Sequence, residues 1–218
     1  MLNPKQSSRG LQVVVLGIDG SGKSTLIKAL AQHYQAHFTK VNTLHFRPNC
    51  LAKKHTVATQ PLAHSPDPHA KKTKNFYKSF LRLLYFWFDY SFGYFLTIKP
   101  KLKKKELVIF DRYFFDLYVD PKRYRYGAPL WSVQWVLQLI PQPDLILLLN
   151  VSPEVARQRK AELSLSESQR QCQAYIELMA NRGNAVVLDA NQTAVQLKKL
   201  AQQTIDHYLA RREHNGPY

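Results

Sequence analysis

Two adjoining stretches decide the fold: the apolar run Leu11–Leu16 and, directly after it, Gly17-Ile18-Asp19-Gly20-Ser21-Gly22-Lys23-Ser24. A short Val-rich run that ends in glycines is typical of a buried strand in a parallel sheet, and the apolar spacing of residues 24–34 predicts a helix behind it. The glycines let backbone N–H groups converge on phosphate oxygens, while Lys23 can bridge terminal phosphates and the Ser24 hydroxyl can ligate Mg²⁺. The sequence therefore predicts a phosphate-binding loop (P-loop) between a strand and a helix.

Further apolar runs alternate with helix-like segments along the rest of the chain. Strands are predicted within residues 38–46 and at residues 107–110, 145–151 and 185–188; helices are predicted at residues 75–98, 153–163 and 192–212. Alternation of this kind is typical of parallel α/β sheets. We expect a P-loop NTPase three-layer sandwich with a parallel sheet of about five strands and helices on both faces.

Length and composition limit the possible domain organisation and the cellular compartment in which the protein is expected. The 218 residues are 45% hydrophobic and 21% charged, which supports a single packed domain over residues 1–218 rather than disorder. Within it we expect a polar tail at residues 1–10 and an irregular insertion at residues 52–74. The two cysteines form no Cys-x-x-Cys pair, which argues against a zinc site or a disulfide scaffold and favours the reducing cytoplasm.

The most membrane-like segment is residues 76–98, in which 11 of 23 residues are aromatic. Lys78, Arg82 and Asp89 interrupt it, and no uncharged run approaches the roughly 20 residues that a spanning helix needs. No membrane span is predicted. Four of its apolar residues recur at helical spacing, which predicts that they face the core: Leu81, Leu84, Tyr85 and Phe88.

Two further groups of residues have chemistry that suits phosphoryl transfer. The strand at residues 107–110 delivers Asp111, which is placed to hold Mg²⁺ or its water, and then Arg112, which would face the transferred phosphate. On the helix after the fourth strand, Arg157 and Lys160 are three residues apart and are predicted to share a face, whereas Arg159 points elsewhere. Mobile cations of this kind can stabilise a migrating phosphoryl group, although a solvated basic helix face is the alternative.

By these motifs, the chain resembles the thymidylate kinase family of P-loop nucleoside monophosphate kinases, in a divergent branch. The resemblance also includes Asp111-Arg112-Tyr113, Pro143-Asp144-Leu145, Ser152-Pro153-Glu154-Val155 and Leu188-Asp189-Ala190. It implies ATP and Mg²⁺ as phosphoryl source, a lid at about residues 157–168 and a small, phosphorylated acceptor.

We therefore predict three sets of site residues. The donor-binding set is Gly17, Asp19, Gly20, Ser21, Gly22, Lys23, Ser24 and Thr25, of which Ser24 acts with Asp111 on the metal. The catalytic set is Lys23, Asp111, Arg112, Arg157 and Arg159. The acceptor-binding set is Arg47, Arg82, Tyr90, Arg112, Tyr113 and Tyr126. Lys23 itself is expected to be an exposed loop residue that contributes little to the core.

Two departures from the family pattern affect the expected acceptor. Family members usually carry an Asp-Arg pair, whose arginine binds the acceptor, in the helix before the Asp-Arg-Tyr strand; here the pair reads Asp89-Tyr90. The loop after the second strand keeps Arg47 but lacks the usual acidic neighbour. We expect the acceptor to be a monophosphate and thymidylate to be a poor one.

Two alternatives to a nucleoside monophosphate kinase stay open: a kinase of a different small acceptor, either a nucleoside or a phosphorylated sugar, and a non-catalytic nucleotide-binding protein that docks on an anionic membrane surface. Residues 38–66 contain no Asp or Glu to deprotonate a hydroxyl, which favours a phosphate acceptor over a nucleoside or a sugar hydroxyl unless Asp67 or Asp111 is the base. A non-catalytic nucleotide-binding protein is the other alternative. The chain lacks the Asn-Lys-x-Asp element of guanine-specific switches, and arginines supplied in the same chain favour transfer.

Positive charge is concentrated in the middle of the chain. The formal net charge is +16, and residues 53–126 hold 16 basic and 6 acidic residues. Such a segment could attract an anionic substrate, contact nucleic acid or dock on an anionic membrane surface. No nucleic-acid-binding module is visible, so nucleic acid is not expected. Any membrane contact would be peripheral and electrostatic, and a homodimer is open.

Overall fold

The computed structural model describes residues 9–48, 50, 75–160 and 162–214. Its strands and helices are, in chain order, β1 (Leu11–Leu16), α1 (Lys23–Tyr34), β2 (Val41–His45), α2 (Phe76–Gly93), α3 (Lys99–Lys103), β3 (Leu107–Asp111), α4 (Phe115–Val119), α5 (Leu130–Leu139), β4 (Leu145–Asn150), α6 (Pro153–Arg159), α7 (Leu165–Met179), β5 (Ala185–Asp189) and α8 (Ala194–His214). A π-helical turn (Tyr94–Ile98) follows α2.

These elements form two compact units. The sheet unit comprises the described residues of Met1–Phe46, Lys99–Tyr113 and Gln142–Tyr218, and the helical unit comprises those of Arg47–Ile98 and Phe114–Pro141. All five strands belong to the sheet unit, while α2, α4 and α5 belong to the helical unit. The single domain predicted for residues 1–218 stays a prediction.

The sheet has the strand order β2-β3-β1-β4-β5, and every pair of neighbours is parallel. Every residue of β1 is buried, as is every residue of β4 except the last, because these strands lie inside the sheet and helices cover it. Helix α1 packs against β1, β2 and β3, and α8 packs against β4, β5 and α1. The predicted fold class is confirmed.

Strand β1 lies at the point where the strand order reverses, with β3 on one side and β4 on the other. Connections that leave such a strand and its neighbour run to opposite sides, which opens a crevice at the carboxyl ends of the strands. The P-loop follows β1 directly, and Asp111 at the end of β3 is in register with Val15 of β1. The topology thus places the two strongest sequence motifs at one edge of the sheet.

Helix boundaries differ from the prediction at the segment after β4. Helix α6 ends at Arg159, and Lys160 already has an extended backbone, with φ of −156° and ψ of 105°. The helix was expected to continue to residue 163. Because it ends at Arg159, the prediction that Arg157 and Lys160 share a helix face is wrong. Lys160 instead forms an ion pair with Glu162, with a distance of 2.9 Å from Nζ to Oε1.

The buried face of α2 also differs from the prediction. Leu81, Tyr85 and Phe88 are exposed, whereas Leu83, Phe86, Asp89 and Tyr90 are buried. The helix is apolar around almost its whole circumference, so apolar spacing could not select the buried face. Its polar residues decide instead, because a buried polar group needs a partner. Asp89 pairs with Arg47, and Ser79 Oγ accepts a hydrogen bond of 2.9 Å from the Gly127 backbone.

Several predicted features lie in residues that the structure does not describe. The insertion at residues 52–74, with Asp67, lies wholly outside the described residues, as do residues 1–8 of the polar tail. Residue 161 of the predicted lid also lies outside them. Over the described ranges, no helix combines the length and the apolar character that crossing a bilayer requires.

Candidate functional site

The P-loop has a backbone that only glycine adopts easily. Gly17, Gly20 and Gly22 all have positive φ angles, of 144°, 83° and 91°. A Cβ atom on Gly20 would lie 2.3 Å from the backbone oxygen of Ala156, and one on Gly17 would lie 2.8 Å from that of Leu149. The loop is therefore closed against β4 and α6 as tightly as its backbone permits, which leaves its N–H groups to form an anion-binding turn.

Lys23 is the first residue of α1 and is only 7% exposed, so the expectation of an exposed loop lysine is wrong. Its Nζ donates hydrogen bonds to the backbone oxygens of Gly17 and Ile18, at 2.8 and 2.7 Å. The ammonium group thus lies across the loop, where converging amides would hold a phosphate. The wrong expectation came from treating the motif as a loop throughout, whereas the helix begins at its seventh residue.

Asp111 ends β3 with a mostly buried carboxylate among positive groups. Its Oδ2 lies 3.7 Å from Nδ1 of His45 at the end of β2. Burial raises the pKa of Asp111, but the hydrogen bond from His45 and the charges of Lys23 and Arg112 outweigh burial, so the pKa lies below its ordinary value. Its Oδ1 is buried and has no hydrogen-bond partner among the described residues. The carboxylate is therefore ionised at neutral pH with one oxygen still to be satisfied.

An ionised carboxylate with one unsatisfied oxygen suits Mg²⁺ bound to a nucleotide. The exposed Ser24 is the second residue of α1, and the described residues contain no cluster of three or more His, Cys, Asp or Glu side chains that could hold a metal by themselves. Mg²⁺ is usually held by one or two protein oxygens together with water and substrate phosphates. The unsatisfied Oδ1 of Asp111 fits that arrangement.

Arg112 is held against the P-loop. Its side chain is buried, and its guanidinium donates to Oδ1 of Asp19 in a close ion pair. Its φ angle of 71° lies in the left-handed region, which costs energy for a residue with a side chain. The neighbouring Tyr113 is buried, with its ring edge-on to Phe110 at 5.2 Å. The strained backbone turns the guanidinium of Arg112 toward the loop, and the sequence did not predict its pairing with Asp19.

A cavity of about 400 Å³ adjoins the P-loop in the sheet unit. Its lining residues are Ser21, Gly22, Thr25, Leu26, Ala29, Arg159, Gln192, Ala194, Val195, Leu197 and Lys198. Five of them lie within residues 192–198, at the start of α8 and just before it, and none of those five was predicted. Residues that follow the carboxyl end of β5 belong to the crevice edge of a parallel sheet, and that position could have identified them.

Of the two arginines predicted for the lid, Arg159 lines this cavity and Arg157 does not. Nη1 of Arg159 donates a hydrogen bond of 3.2 Å to the backbone oxygen of Ala190, which anchors α6 to the end of β5. Arg157 is exposed on the same helix. The catalytic roles of both arginines stay predictions.

In the helical unit, Arg47 is half-buried beside an acid and two rings. Its Nη1 lies 3.6 Å from Oδ2 of the fully buried Asp89, and its guanidinium carbon lies 5.3 and 5.2 Å from the ring centres of Tyr85 and Phe86. Cation–π contacts and an ion pair together fix the plane of the guanidinium. The Asp89 partner was present in the sequence as part of Asp89-Tyr90, but nothing in the sequence linked it to Arg47.

Two more predicted acceptor residues, Arg82 and Tyr126, lie in the same unit. Arg82 donates to the backbone oxygen of Tyr124, and burial together with the charges of Arg125 and Arg47 lowers its pKa. The charges of Arg125 and Arg47 thus both act on Arg82, and such a group of positive charges attracts an anion. Tyr126 is buried, and its hydroxyl lies 2.6 Å from Oγ of Ser132.

Tyr90 is buried against an aromatic ring. It is 1% exposed, and its ring packs edge-on against Phe114 with a centre distance of 5.3 Å. The residue that replaces the family's arginine therefore contributes apolar packing. The substrate role predicted for Tyr90 stays a prediction.

Known proteins are similar to this chain over most of its length. Residues 15–201 match the family model for thymidylate kinase. A thymidylate kinase from Idiomarina loihiensis is 30% identical over 217 residues, which span 92% of this chain and 98% of that protein. A probable thymidylate kinase from Methanosarcina barkeri is 27% identical over 223 residues, covering 93% of this chain and 99% of that one.

A solved structure supports the fold independently. The thymidylate kinase of Candida albicans superposes with a TM-score of 0.65 over 93% of each chain, at 19% sequence identity. The predicted family resemblance, fold and nucleotide kinase activity are confirmed. The chain belongs to the thymidylate kinase family, whose members are phosphotransferases that phosphorylate nucleoside monophosphates.

Proposed function

We propose that this protein binds ATP and Mg²⁺ at the P-loop and transfers the γ-phosphoryl group to a nucleoside monophosphate in the cytoplasm. The observation that carries the proposal is that Lys23, at the start of α1, lies close enough to Asp111, at the end of β3, for its charge to lower the pKa of that carboxylate. One oxygen of the carboxylate has no hydrogen-bond partner among the described residues. A lysine and an ionised carboxylate at this edge are the two charges that a nucleotide–magnesium complex requires from a P-loop protein.

The donor nucleotide would lie along the sheet unit. Loop amides and Lys23 would hold its phosphates, and the cavity lined by Thr25, Arg159, Gln192 and Val195 would hold its base. Its volume of about 400 Å³ lies in the range typical of small-molecule sites. The apolar Val195 suits one face of a purine ring, and Gln192 offers an amide to its edge.

Ser24 and Asp111 would hold Mg²⁺, which supplies neutralisation of the phosphate oxygens when it is bound. Asp111 contributes by staying ionised, because Lys23, Arg112 and His45 keep its pKa low. Asp19 contributes by fixing the guanidinium of Arg112 beside the loop. The backbone glycines contribute by permitting the loop to approach phosphate oxygens without side chains in the way.

In the reaction, an oxygen of the acceptor phosphate bonds to the γ-phosphorus, and the bond from that phosphorus to the β–γ bridging oxygen breaks to release ADP. The acceptor oxygen is already anionic, so no general base has to remove a proton. Lys23 and Arg112, with Arg157 or Arg159, would balance the charge on the transferred group. Arg47, Arg82, Tyr113 and Tyr126 would bind the acceptor.

The relatives are named for thymidylate, but Tyr90 argues for reduced use of thymidylate here. A lost charge-assisted contact typically costs about 1.5 to 3 kcal/mol, or roughly ten- to a hundredfold in kcat/KM. Because Tyr90 is buried against Phe114, it cannot supply a replacement charge. We expect kcat/KM for thymidylate to be lower than that of a relative with the Asp-Arg pair, measured side by side under one condition.

The experiment that tests the function is a transfer assay with ATP and Mg²⁺ against nucleosides, nucleoside monophosphates and phosphorylated sugars, with ADP release and the phosphorylated product both measured. We expect turnover with at least one nucleoside monophosphate. Clear preference for an unphosphorylated nucleoside would contradict the acceptor class. ATP binding without turnover on any acceptor would contradict the proposed phosphoryl transfer.

Arg47 provides a second test in which stability and binding are separated. Removal of Arg47 alone would leave the buried Asp89 without its cationic partner, so the informative variant is the double change Arg47→Ala with Asp89→Asn, compared with Asp89→Asn alone. We expect the double variant to raise the acceptor KM about tenfold or more over the single one, with ATP affinity unchanged. Equal acceptor KM values in the two variants would show that Arg47 does not bind the acceptor.

A further inference from the structure

Residues 120–127 form a turn that is fixed at both of its ends within the helical unit. At its start, the backbone N–H and Nε of Arg123 donate hydrogen bonds to the carboxylate of Asp120, at 3.2 and 3.0 Å. At its end, the backbone N–H of Gly127 donates a hydrogen bond of 2.9 Å to Oγ of Ser79 on α2. The turn is therefore bonded both within itself and to α2.

Arg125 lies in this turn with a strained backbone. Its φ angle of 52° is in the left-handed region, which costs energy for a residue with a side chain and costs glycine little. Its N–H donates a hydrogen bond of 2.8 Å to the backbone oxygen of Lys122, which holds the conformation in place. Strain of this kind is concentrated at functional sites, so the side chain of Arg125 is a candidate for a function.

Helix α2 brings a second arginine to the same turn. The guanidinium of Arg82 donates to the backbone oxygen of Tyr124, the residue before Arg125. Arg82 is three residues after Ser79, so the two α2 side chains that bond to the turn share one face of the helix. A backbone oxygen carries no full charge. The bond therefore orients the guanidinium of Arg82 without neutralising it.

The positive charges of Arg82 and Arg125 lie close enough to act on each other. Burial, the charge of Arg125 and the charge of Arg47, in that order, lower the pKa of Arg82. All three effects disfavour the charged guanidinium, and a bound anion would offset the two repulsions. Two half-buried guanidinium groups with planar sets of donors suit the oxygens of a phosphate.

The other two arginines of the helical unit form ion pairs with carboxylates. Nε of Arg123 lies 3.0 Å from Oδ2 of Asp120, and Nη1 of Arg47 lies 3.6 Å from Oδ2 of Asp89. Arg123 therefore fastens the turn. The structure thus separates two arginines that are alike in the sequence, because Arg123 shapes the turn while the charge of Arg125 acts on Arg82.

We propose that Arg125, together with Arg82, binds the phosphate of the acceptor and determines which acceptors this protein uses. The inference rests on the proposed function, in which the helical unit binds a nucleoside monophosphate. Arg82 lies eight residues before Tyr90, the position at which the family usually has its acceptor-binding arginine, or about 12 Å along α2. A phosphate contact moved by that distance favours an acceptor other than thymidylate, which agrees with the weak use of thymidylate expected from Tyr90.

Binding measurements test the proposal without requiring turnover. Isothermal titration calorimetry on the full chain compares AMP, GMP, CMP, UMP and thymidylate, each with its unphosphorylated nucleoside. We expect the best-bound monophosphate to bind at least about tenfold more tightly than its nucleoside, because hydrogen bonds between arginine and phosphate are charge-assisted. The Arg125→Gly variant should lose most of this phosphate preference.

The choice of variants keeps the turn intact. Glycine fits the left-handed backbone, so Arg125→Gly should unfold at the wild-type temperature or above it. Arg125→Lys should keep part of the phosphate preference, because it retains the charge without the planar fork. Arg82→Gln keeps an amide that can donate to the oxygen of Tyr124, and it should also lower the preference. Lys122→Ala is the matched control, since it removes an exposed positive charge from the same turn and should leave the preference unchanged.

Steady-state kinetics with ATP and Mg²⁺ add a second measurement. Arg125→Gly should raise the KM of that monophosphate about tenfold or more, while the KM of ATP stays unchanged. Turnover of a monophosphate by the wild-type protein, with no effect of Arg125→Gly, would leave the proposed function standing and overturn the role of Arg125. Loss of the phosphate preference in Arg125→Gly, with no turnover of any acceptor by the wild type, would contradict the transfer reaction and support the phosphate site.

Two further outcomes overturn the proposal. One is a wild-type protein that binds each monophosphate no more tightly than its nucleoside. The other is an equal loss of phosphate preference in Lys122→Ala and Arg125→Gly, which would show that the net charge of the turn, rather than a contact made by Arg125, attracts the phosphate.

Discussion

Lys23→Ala is expected to lower kcat by about 100- to 1,000-fold and to leave the protein folded. The size of the loss follows from removing one preorganised charge that, in the proposed function, would face the transferred phosphate. The folded state should survive, because the side chain gives up two hydrogen bonds to the backbone oxygens of Gly17 and Ile18, each of which contributes about 1 kcal/mol. Steady-state kinetics and thermal unfolding of the same preparation measure the two effects.

The matched control is Lys28→Ala, since Lys28 is an exposed lysine one turn farther along α1. It should change neither turnover nor the unfolding temperature. Wild-type turnover in the Lys23 variant would show that the donor binds elsewhere. A loss of turnover accompanied by unfolding at room temperature would instead show that the buried lysine is structural.

The second large effect is expected from Asp111→Asn, which should lower kcat by about a hundredfold or more and raise the Mg²⁺ concentration needed for half-maximal activity. The change keeps the shape of the side chain but removes the charge that the unsatisfied Oδ1 would present to the metal. Binding of a fluorescent ATP analogue with and without Mg²⁺ gives a readout besides activity. In the variant, Mg²⁺ should no longer strengthen that binding.

Asp144→Asn is the matched control, because this carboxylate caps the backbone N–H of Gln12 and pairs with Arg9 instead of facing the P-loop. It should leave the Mg²⁺ dependence unchanged. An Asp111 variant with normal Mg²⁺ dependence would contradict the metal assignment.

The lowered pKa of Asp111 also sets a pH dependence. Because the folded pKa lies below the unfolded value, the ionised carboxylate stabilises the folded protein above the unfolded pKa of about 4. That contribution is lost as the pH falls through the folded pKa. We therefore expect the wild-type protein to have a higher free energy of unfolding than the Asp111→Asn variant above about pH 4. In acid titrations followed by circular dichroism, this difference between the two proteins should shrink as the pH falls further.

The sequence by itself determined the sheet and the donor end of the site. A Val-rich strand, a glycine loop and a helix are local in the chain, and their backbone requirements are strict enough to be read residue by residue. Asp111 could be placed for the same reason, since it ends a fully apolar run and parallel strands share one edge for their carboxyl ends. Local pattern and global fold agree there.

Only the tertiary structure decided which groups meet across the chain. The pairs Arg112–Asp19 and Arg47–Asp89 join residues 93 and 42 positions apart, and no periodicity carries that information. The buried face of α2 was likewise decided by its polar residues, whose partners lie on other segments, because a helix that is apolar on all sides has no single preferred face. The exposed apolar side chains of α2, such as Leu81 and Phe88, are the ones that this choice leaves outside the core.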